Sequence, residues 1–275
     1  MIESVRDYRV LFVGDTITDE YHYVETLARA AKEPIIPARY LRKEVFHGGV
    51  HAAASHAANF CRVDVESIGD ATCKVRMVDE NCLRKLFEVH YSHGYVDRRA
   101  PSGEYDVTVI ADFGASVIHA ERLKAGFLAV SAQTNSANAG FNLITKYDHA
   151  DYIVIDEPEA RLAAHDRDSP IRDVMVKLAH GRCRTFVVTH GSHGAYGLDD
   201  GEFYHQPALT DLVRDTMGAG DAFFAVTAPM AKTGSMKDLL TIGNAAGAIK
   251  CGIVGHREPV TKQALIEYLK AHGTA

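Results

Sequence analysis

The sequence predicts an α/β protein, a doubly wound and mostly parallel sheet flanked by helices, with a small β-sheet lid. Three observations carry this expectation. Short continuous apolar runs recur as RVLFVGD (Arg9–Asp15), VTVIADF (Val107–Phe113), FLAVSAQ (Phe127–Gln133), YIVIDEP (Tyr152–Pro158) and TFVVTHG (Thr185–Gly191), as expected of strands buried on both faces. Helix-like segments such as EPEARLAAHD and PIRDVMVKLAHG lie between them, and strands alternating with helices imply parallel crossovers. Two stretches, about 20–46 and 74–92, instead mix polar and β-prone residues in partial alternation. That is the pattern of a small, separate sheet, read here as a lid.

Taken in order, the first run delivers Asp15 at the carboxyl end of its strand. Open parallel sheets bind ligands outside those ends, so Asp15, Asp112, Asp156 and Thr189 are candidates to line one crevice. Singly, each is an ordinary turn-forming residue; their recurrence at successive strand ends is the signal. DRDSP (Asp166–Pro170) reads as a helix-ending loop. AFFAVTAPMAK reads as a helix that Pro229 kinks or ends about two turns in. TKQALIEYLKAHG starts at a capping Thr261, ends at Gly273 and predicts a C-terminal helix.

With 275 residues, 47% hydrophobic and 24% charged, the chain is expected to be one domain, 1–275. A net charge of −6 with dispersed Lys and Arg argues against a nucleic-acid partner. The 5 cysteines include no CxxC pair, which favours a reducing compartment over a disulfide framework or thiolate zinc site. No apolar run reaches membrane-span length, so a cytoplasmic protein with no membrane association is expected.

The chemistry concentrates in DTMGAGDAFF (Asp215–Phe224). Gly218, Ala219 and Gly220 permit close backbone approach, and the helix after them would leave amides free at its N-terminus. Such amides suit a phosphoryl group in flight. Asp221 beside them makes sense as the acceptor of a proton from an attacking hydroxyl. Its alternative is a first-turn carboxylate favoured by the helix dipole, and on this short motif alone the two readings weigh about evenly. No GxxxxGK[ST] occurs.

DTMGAGD resembles the DTxGAGD signature of the ribokinase-like (PfkB) carbohydrate kinases. In the same order, VGDTITD (Val13–Asp19), HGGV (His47–Val50), DEPEA (Asp156–Ala160), VTHGSHGAYG (Val188–Gly197) and GNAAGAIKCG (Gly243–Gly252) resemble further family pieces. VGDTITDEYHY, KLFEVHY and VIADFGASVI are similar to the heptose-phosphate kinase domain of bifunctional ADP-heptose synthases. The resemblance implies a ribokinase-like fold and phosphoryl transfer from MgATP to a sugar hydroxyl, with Asp221 as base and Gly218, Ala219 and Gly220 as the anion hole. It implies Glu159, with Asp156, for Mg²⁺, and Thr189, Gly191, Gly194 and Asn244 beside the nucleotide. Asp15, Asp19, Gly48 and Gly49 would border the sugar, and Asp112 joins them as a candidate. A monovalent cation, a homodimer and a nucleotidyltransferase acting on the product are also implied.

The pattern departs in places. Ala52 or its neighbours stand where the family has a sugar-binding Asn, and Asp156 replaces the Asn of NxxE. Ala115 and Ser116 occupy the place of a Lys in heptose-kinase relatives, and SAQTNSANAGFN (Ser131–Asn142) is amide-rich rather than cationic. These changes favour a neutral polyol or an unusual sugar over a heptose phosphate. Between Asn59 and Tyr105 the chain is shorter than is usual in the family. Two other readings stand beside the sugar kinase: a non-catalytic nucleotide- or sugar-binding descendant with a regulatory role, and a nucleoside or vitamin-precursor kinase. The histidines around the di-glycine, His47, His51 and His56, are read as surface or substrate-facing imidazoles rather than metal ligands.

Overall fold

The computed structural model describes residues 1–28, 32–91, 103–120, 123, 125–209 and 213–273. The predicted runs become β1 (Arg9–Thr26), β5 (Val107–Asp112), β6 (Leu128–Ala132), β7 (Tyr152–Asp156) and β8 (Thr185–Thr189). The remaining strands are β2 (Ala38–Gly48), β3 (Arg62–Asp79), β4 (Lys85–Tyr91), β9 (Ala195–Asp199) and β10 (Glu202–Gln206). One sheet runs β10-β9-β8-β7-β6-β5-β1-β3-β4, with β2 on β1. Pairing from β8 through β1 to β3 is parallel, and β4, β9 and β10 add antiparallel edges.

Helices cover both faces. α1 (Gly49–Ala57), α4 (Ala219–Thr227), α5 (Met236–Cys251) and α6 (Lys262–Ala271) pack on one, and α2 (Glu157–Ala164) and α3 (Ile171–Ala179) on the other. Strand alternation divides the core between them. Val10, Phe12, Val107 and Val109 face the first set, whereas Leu11, Val13, Ile110 and Val130 face the second, as a period of two requires. α4 ends at Thr227, two residues before Pro229. Thr261 caps α6 by accepting from the Ala264 amide at 3.2 Å.

The lid differs from the small, separate sheet expected. β1 and β3 are each 18 residues long and run from the central sheet into the lid without a break. β5 accompanies β1 only to Gly14, and beyond a register shift at Asp15/Ile17 the same edge of β1 takes β2 from Ile17 onward. The irregularity bends the strand and re-aims its side chains, so two long strands serve both layers. This accounts for the short stretch after Asn59: β3 enters the lid where a further strand and helix were expected. No helix among the described residues is long and apolar enough to cross a membrane.

Candidate active site

α4 begins at a turn that only glycine suits. Gly218, its N-cap, has φ 75° and ψ 9°, in the left-handed region that disfavours a Cβ. Among the described residues the Gly218, Gly220 and Asp221 amides donate to no protein acceptor, whereas the Ala219 amide donates to the Thr216 carbonyl at 3.3 Å. Of the three predicted anion-hole residues, two therefore present free amides, and Asp221 adds one. The Asp221 carboxylate in this first turn receives the Gln133 side-chain amide. Burial raises its pKa above the ordinary aspartate value, and His256, Gln133, Lys250 and Lys74 act in the opposite direction.

A cavity of about 730 Å³ includes in its wall Lys74, one of the cations that act on Asp221. Its wall combines Ile17, Thr72 and Lys74 of the lid strands, the Phe113–Ser116 loop, the amides of Asn135, Asn138 and Asn142, and Lys146. Asp15, Asp19 and Asp112 stand behind this wall, all buried. Asp15 Oδ2 accepts from the Phe113 and Ala115 amides at 2.9 and 3.2 Å, while its Oδ1 is buried without a partner. Asp112 binds the Gly114 amide, Asn142, Tyr147 and Lys146. Asp19 is paired with Arg76 and lies 3.5 Å from His256 Nε2. Burial would raise Asp19, but His256 and Arg76 outweigh it and hold the carboxyl below its ordinary value. A Cβ on Gly48 would come within 2.2 Å of Asp19 Oδ2, so the di-glycine makes room for this buried acid. Gly49 starts α1.

Several groups here had no sequence signal. Lys74 and Lys146 bring to the cavity the cations missing at Ala115 and Ser116, one from β3 and one from a 3₁₀ turn (Ile144–Lys146). Among the described residues no carboxylate lies within ion-pair distance of the Lys74 ammonium. The alternation of β3 turns Thr72, Lys74 and Arg76 to one face, a pattern visible once the strand's register is known. Gln133 lay in a predicted strand run but nothing marked it as the partner of Asp221.

Among the residues expected beside the nucleotide, Thr189 ends β8, a 3₁₀ turn (Gly191–His193) follows, and Gly194 packs against Gln206 and Pro207. Asn244 donates to the Gln206 and Pro207 carbonyls at 2.9 and 3.1 Å, so it fixes the loop that borders this side. Asp156 and Glu159 form a reciprocal capping box at the start of α2. Both Glu159 oxygens accept backbone N–H groups, from Thr134 and Asp156. Burial, then Asp156, pushes Glu159 up to about 8. Burial also raises Asp156. Of the three histidines, His51 contacts Ser67 at 2.8 Å and buried His56 accepts from the Val260 amide at 2.9 Å.

Residues 127–263 match the family described as pfkB family carbohydrate kinase. The chain thus carries a PfkB carbohydrate kinase family domain, which indicates a carbohydrate kinase, a phosphotransferase. The fold is also that of known structures. A ribokinase from Thermotoga maritima is 15% identical with a TM-score of 0.76, covering 96% of this chain and 99% of its own. A ribokinase from Arabidopsis thaliana, complexed with ribose and ATP, is 16% identical with a TM-score of 0.72, covering 96% and 99%. Phosphofructokinase-2 from Escherichia coli, in complex with potassium, is 14% identical with a TM-score of 0.73, covering 98% and 99%.

The orphaned oxygen of Asp15 has a measurable consequence. Burial, then the neighbouring Asp112, raises its carboxyl from 3.8 to about 6. Folded Asp15 therefore keeps its proton at pH values where an unfolded aspartate has lost it. Its contribution to stability is full below pH 3.8 and is lost as pH rises through about 6. Asp15→Asn, which cannot ionise, should gain on the native chain by about 3 kcal/mol between pH 3.5 and 7, scaled from about 1.4 kcal/mol per pKa unit. Urea unfolding of both proteins at the two pH values measures this, and parallel pH dependences would contradict it.

Proposed function

We propose that the chain transfers the γ-phosphoryl group of MgATP to a hydroxyl of a sugar derivative bound in the cavity beside Asp221. The observation that carries this reading is one carboxylate, Asp221, set in the first turn of α4 among free amides, clasped by Gln133 and acted on by Lys74, which lines the cavity. The acceptor hydroxyl gives its proton to Asp221, its oxygen bonds to the γ-phosphorus, and the bond to the β-phosphate oxygen breaks to release ADP. Amides at Gly218 and Gly220 meet the charge on the transferring oxygens, where fixed dipoles are most effective. A carboxyl raised by burial suits a general base better than an ordinary aspartate does.

Ribose and ATP bound together in the Arabidopsis ribokinase support the pairing of sugar and nucleotide. Thr189, Gly191, Gly194 and Asn244 are proposed to border the nucleotide, and Asp15, Asp19, Asp112, Gly48 and Gly49 to shape the acceptor site. Among the described residues no three His, Cys, Asp or Glu side chains converge on a metal position. The divalent ion is therefore taken to arrive with the triphosphate, with Glu159 and Asp156 on its protein side, and ionising Glu159 near neutral pH would then be favoured by the cation. Lys74, which among the described residues has no carboxylate within ion-pair distance, gives the cavity a cation, which supports an acceptor bearing an anionic group and moves the reading away from a neutral polyol.

The outer face of the lid supports a homodimer. By register Val45, Val89 and Phe87 share that face and remain 51, 38 and 51% exposed, an apolar patch of the kind a second copy covers. Light scattering of the native chain beside Phe87→Glu should give a dimer that the variant weakens; a native monomer at high concentration would refute it.

Phosphoryl transfer itself is tested by ADP release with Mg²⁺ over neutral sugars, sugar phosphates and nucleosides, native chain beside Asp221→Asn. Turnover on at least one acceptor is expected, with a loss in the variant of about 10²- to 10⁴-fold, the usual worth of a general base. Turnover unchanged in the variant would exclude Asp221 as base. Silence of the native chain on every acceptor, with ATP still bound, would favour a binding role instead.

A further inference from the structure

Lys250, in the last turn of α5, is the one lysine among the described residues that is 0% exposed. Its ammonium donates to three backbone carbonyls: Met217 at 2.8 Å, Gly255 at 2.7 Å and Ile253 at 3.4 Å. The first belongs to the residue before the Gly218 turn, and the other two belong to the loop after α5. Asp215 ties the same two segments together, accepting from the Met217 amide at 3.1 Å and the Gly255 amide at 3.0 Å. A Cβ on Gly218 would lie 3.3 Å from Lys250 Cε, so the lysine stem lies directly under the turn.

A ring of carbonyl oxygens from two loops, closed by a nearby carboxylate, is the chemistry that holds a desolvated monovalent cation. Here that position is filled by a covalently attached one. We propose that the Lys250 ammonium is a built-in replacement for a bound monovalent cation, positioning the Met217–Gly218 turn and supplying fixed positive charge beneath the amides that meet the phosphoryl group. The residues present do not fit potassium as well: its oxygens already accept from the ammonium, and a second cation there would face an unscreened like charge. Burial lowers the Lys250 pKa below the ordinary lysine value, and Asp215, Asp221 and the three accepting carbonyls act against it in favour of the ammonium. Lys250 touches neither acceptor nor nucleotide in this account and is a positioning residue. Its effect on rate rests on the kinase reading; its effect on ion binding does not.

The test compares the native chain with Lys250→Ser, which opens the position, and Lys250→Met, which fills it without charge. Replacing potassium chloride by tetramethylammonium chloride should leave native turnover unchanged. Lys250→Ser should lose about 10²-fold in kcat with less change in KM, the scale of one preorganised electrostatic group, and recover about tenfold or more on adding ammonium or potassium ions. Lys250→Met should lose as much and not recover. Melting temperature, read without substrates, should rise with ammonium or potassium concentration for the serine variant alone, so a chain that phosphorylates none of the acceptors still answers the question. Native turnover or melting that depends on potassium, or a serine variant that is fully active or unmoved by either ion, would overturn the proposal. If the serine variant does not fold, the native chain's response to potassium decides.

Discussion

Two strands that cross from the central sheet into the lid without a break constrain everything else in this molecule. β1 and β3 stay in parallel register from Arg9↔Arg62 to Val24↔Asp79, with a single shift near Thr16. Residues on that rail cannot move independently. Asp15 sits within β1 where it leaves the central sheet and Asp19 just inside the lid, with Lys74 of β3 opposite Asp19 and Arg76 opposite Tyr21. The lid is also latched to the body. Tyr21, Tyr23 and Val78 pack with Met217 and Val254, Lys85 pairs with Asp215 at 2.8 Å, and Arg257 pairs with Glu44 at 2.8 Å. The segment that presents the free amides is thus held from above by the lid and from below by Lys250.

Charge burial is the cost of this arrangement, and the structure offsets it by alternating sign. Asp19 lies between Arg76 and His256, Asp112 meets Lys146, and Asp215 meets Lys85. A buried carboxylate without such partners shifts toward its neutral form, as Asp15 and Glu159 both do. Asp221 lies between these cases: buried enough to be raised, close enough to Lys250, His256 and Lys74 to be drawn back. That intermediate position is what a proton acceptor in phosphoryl transfer requires.

The central strands and their helices were legible because buried parallel strands must be continuously apolar, and RVLFVGD, VTVIADF and YIVIDEP could hardly be anything else. DTMGAGD was legible for a similar reason, since a left-handed N-cap followed by bare amides narrows the choice of residues. The continuity of the lid was hidden, because β1 and β3 change from two-sided to one-sided burial within one strand and so look like separate elements. Lys74, Gln133 and His256 were hidden too. Each acquires meaning only from what the register or a loop brings opposite it, and a lone lysine in a strand gives no hint of facing a cavity. Lys250 sat within GNAAGAIKCG, where its alanine-rich surroundings drew attention to the helix rather than to the charge buried in it.

The most direct test of the account is a crystal structure with Mg²⁺, a non-hydrolysable ATP analogue and an acceptor that supports turnover. The terminal phosphate should lie on the Gly218 and Gly220 amides, with the acceptor hydroxyl between it and the Asp221 carboxylate. A terminal phosphate bound away from that turn, or an acceptor hydroxyl out of hydrogen-bonding reach of Asp221, would contradict it.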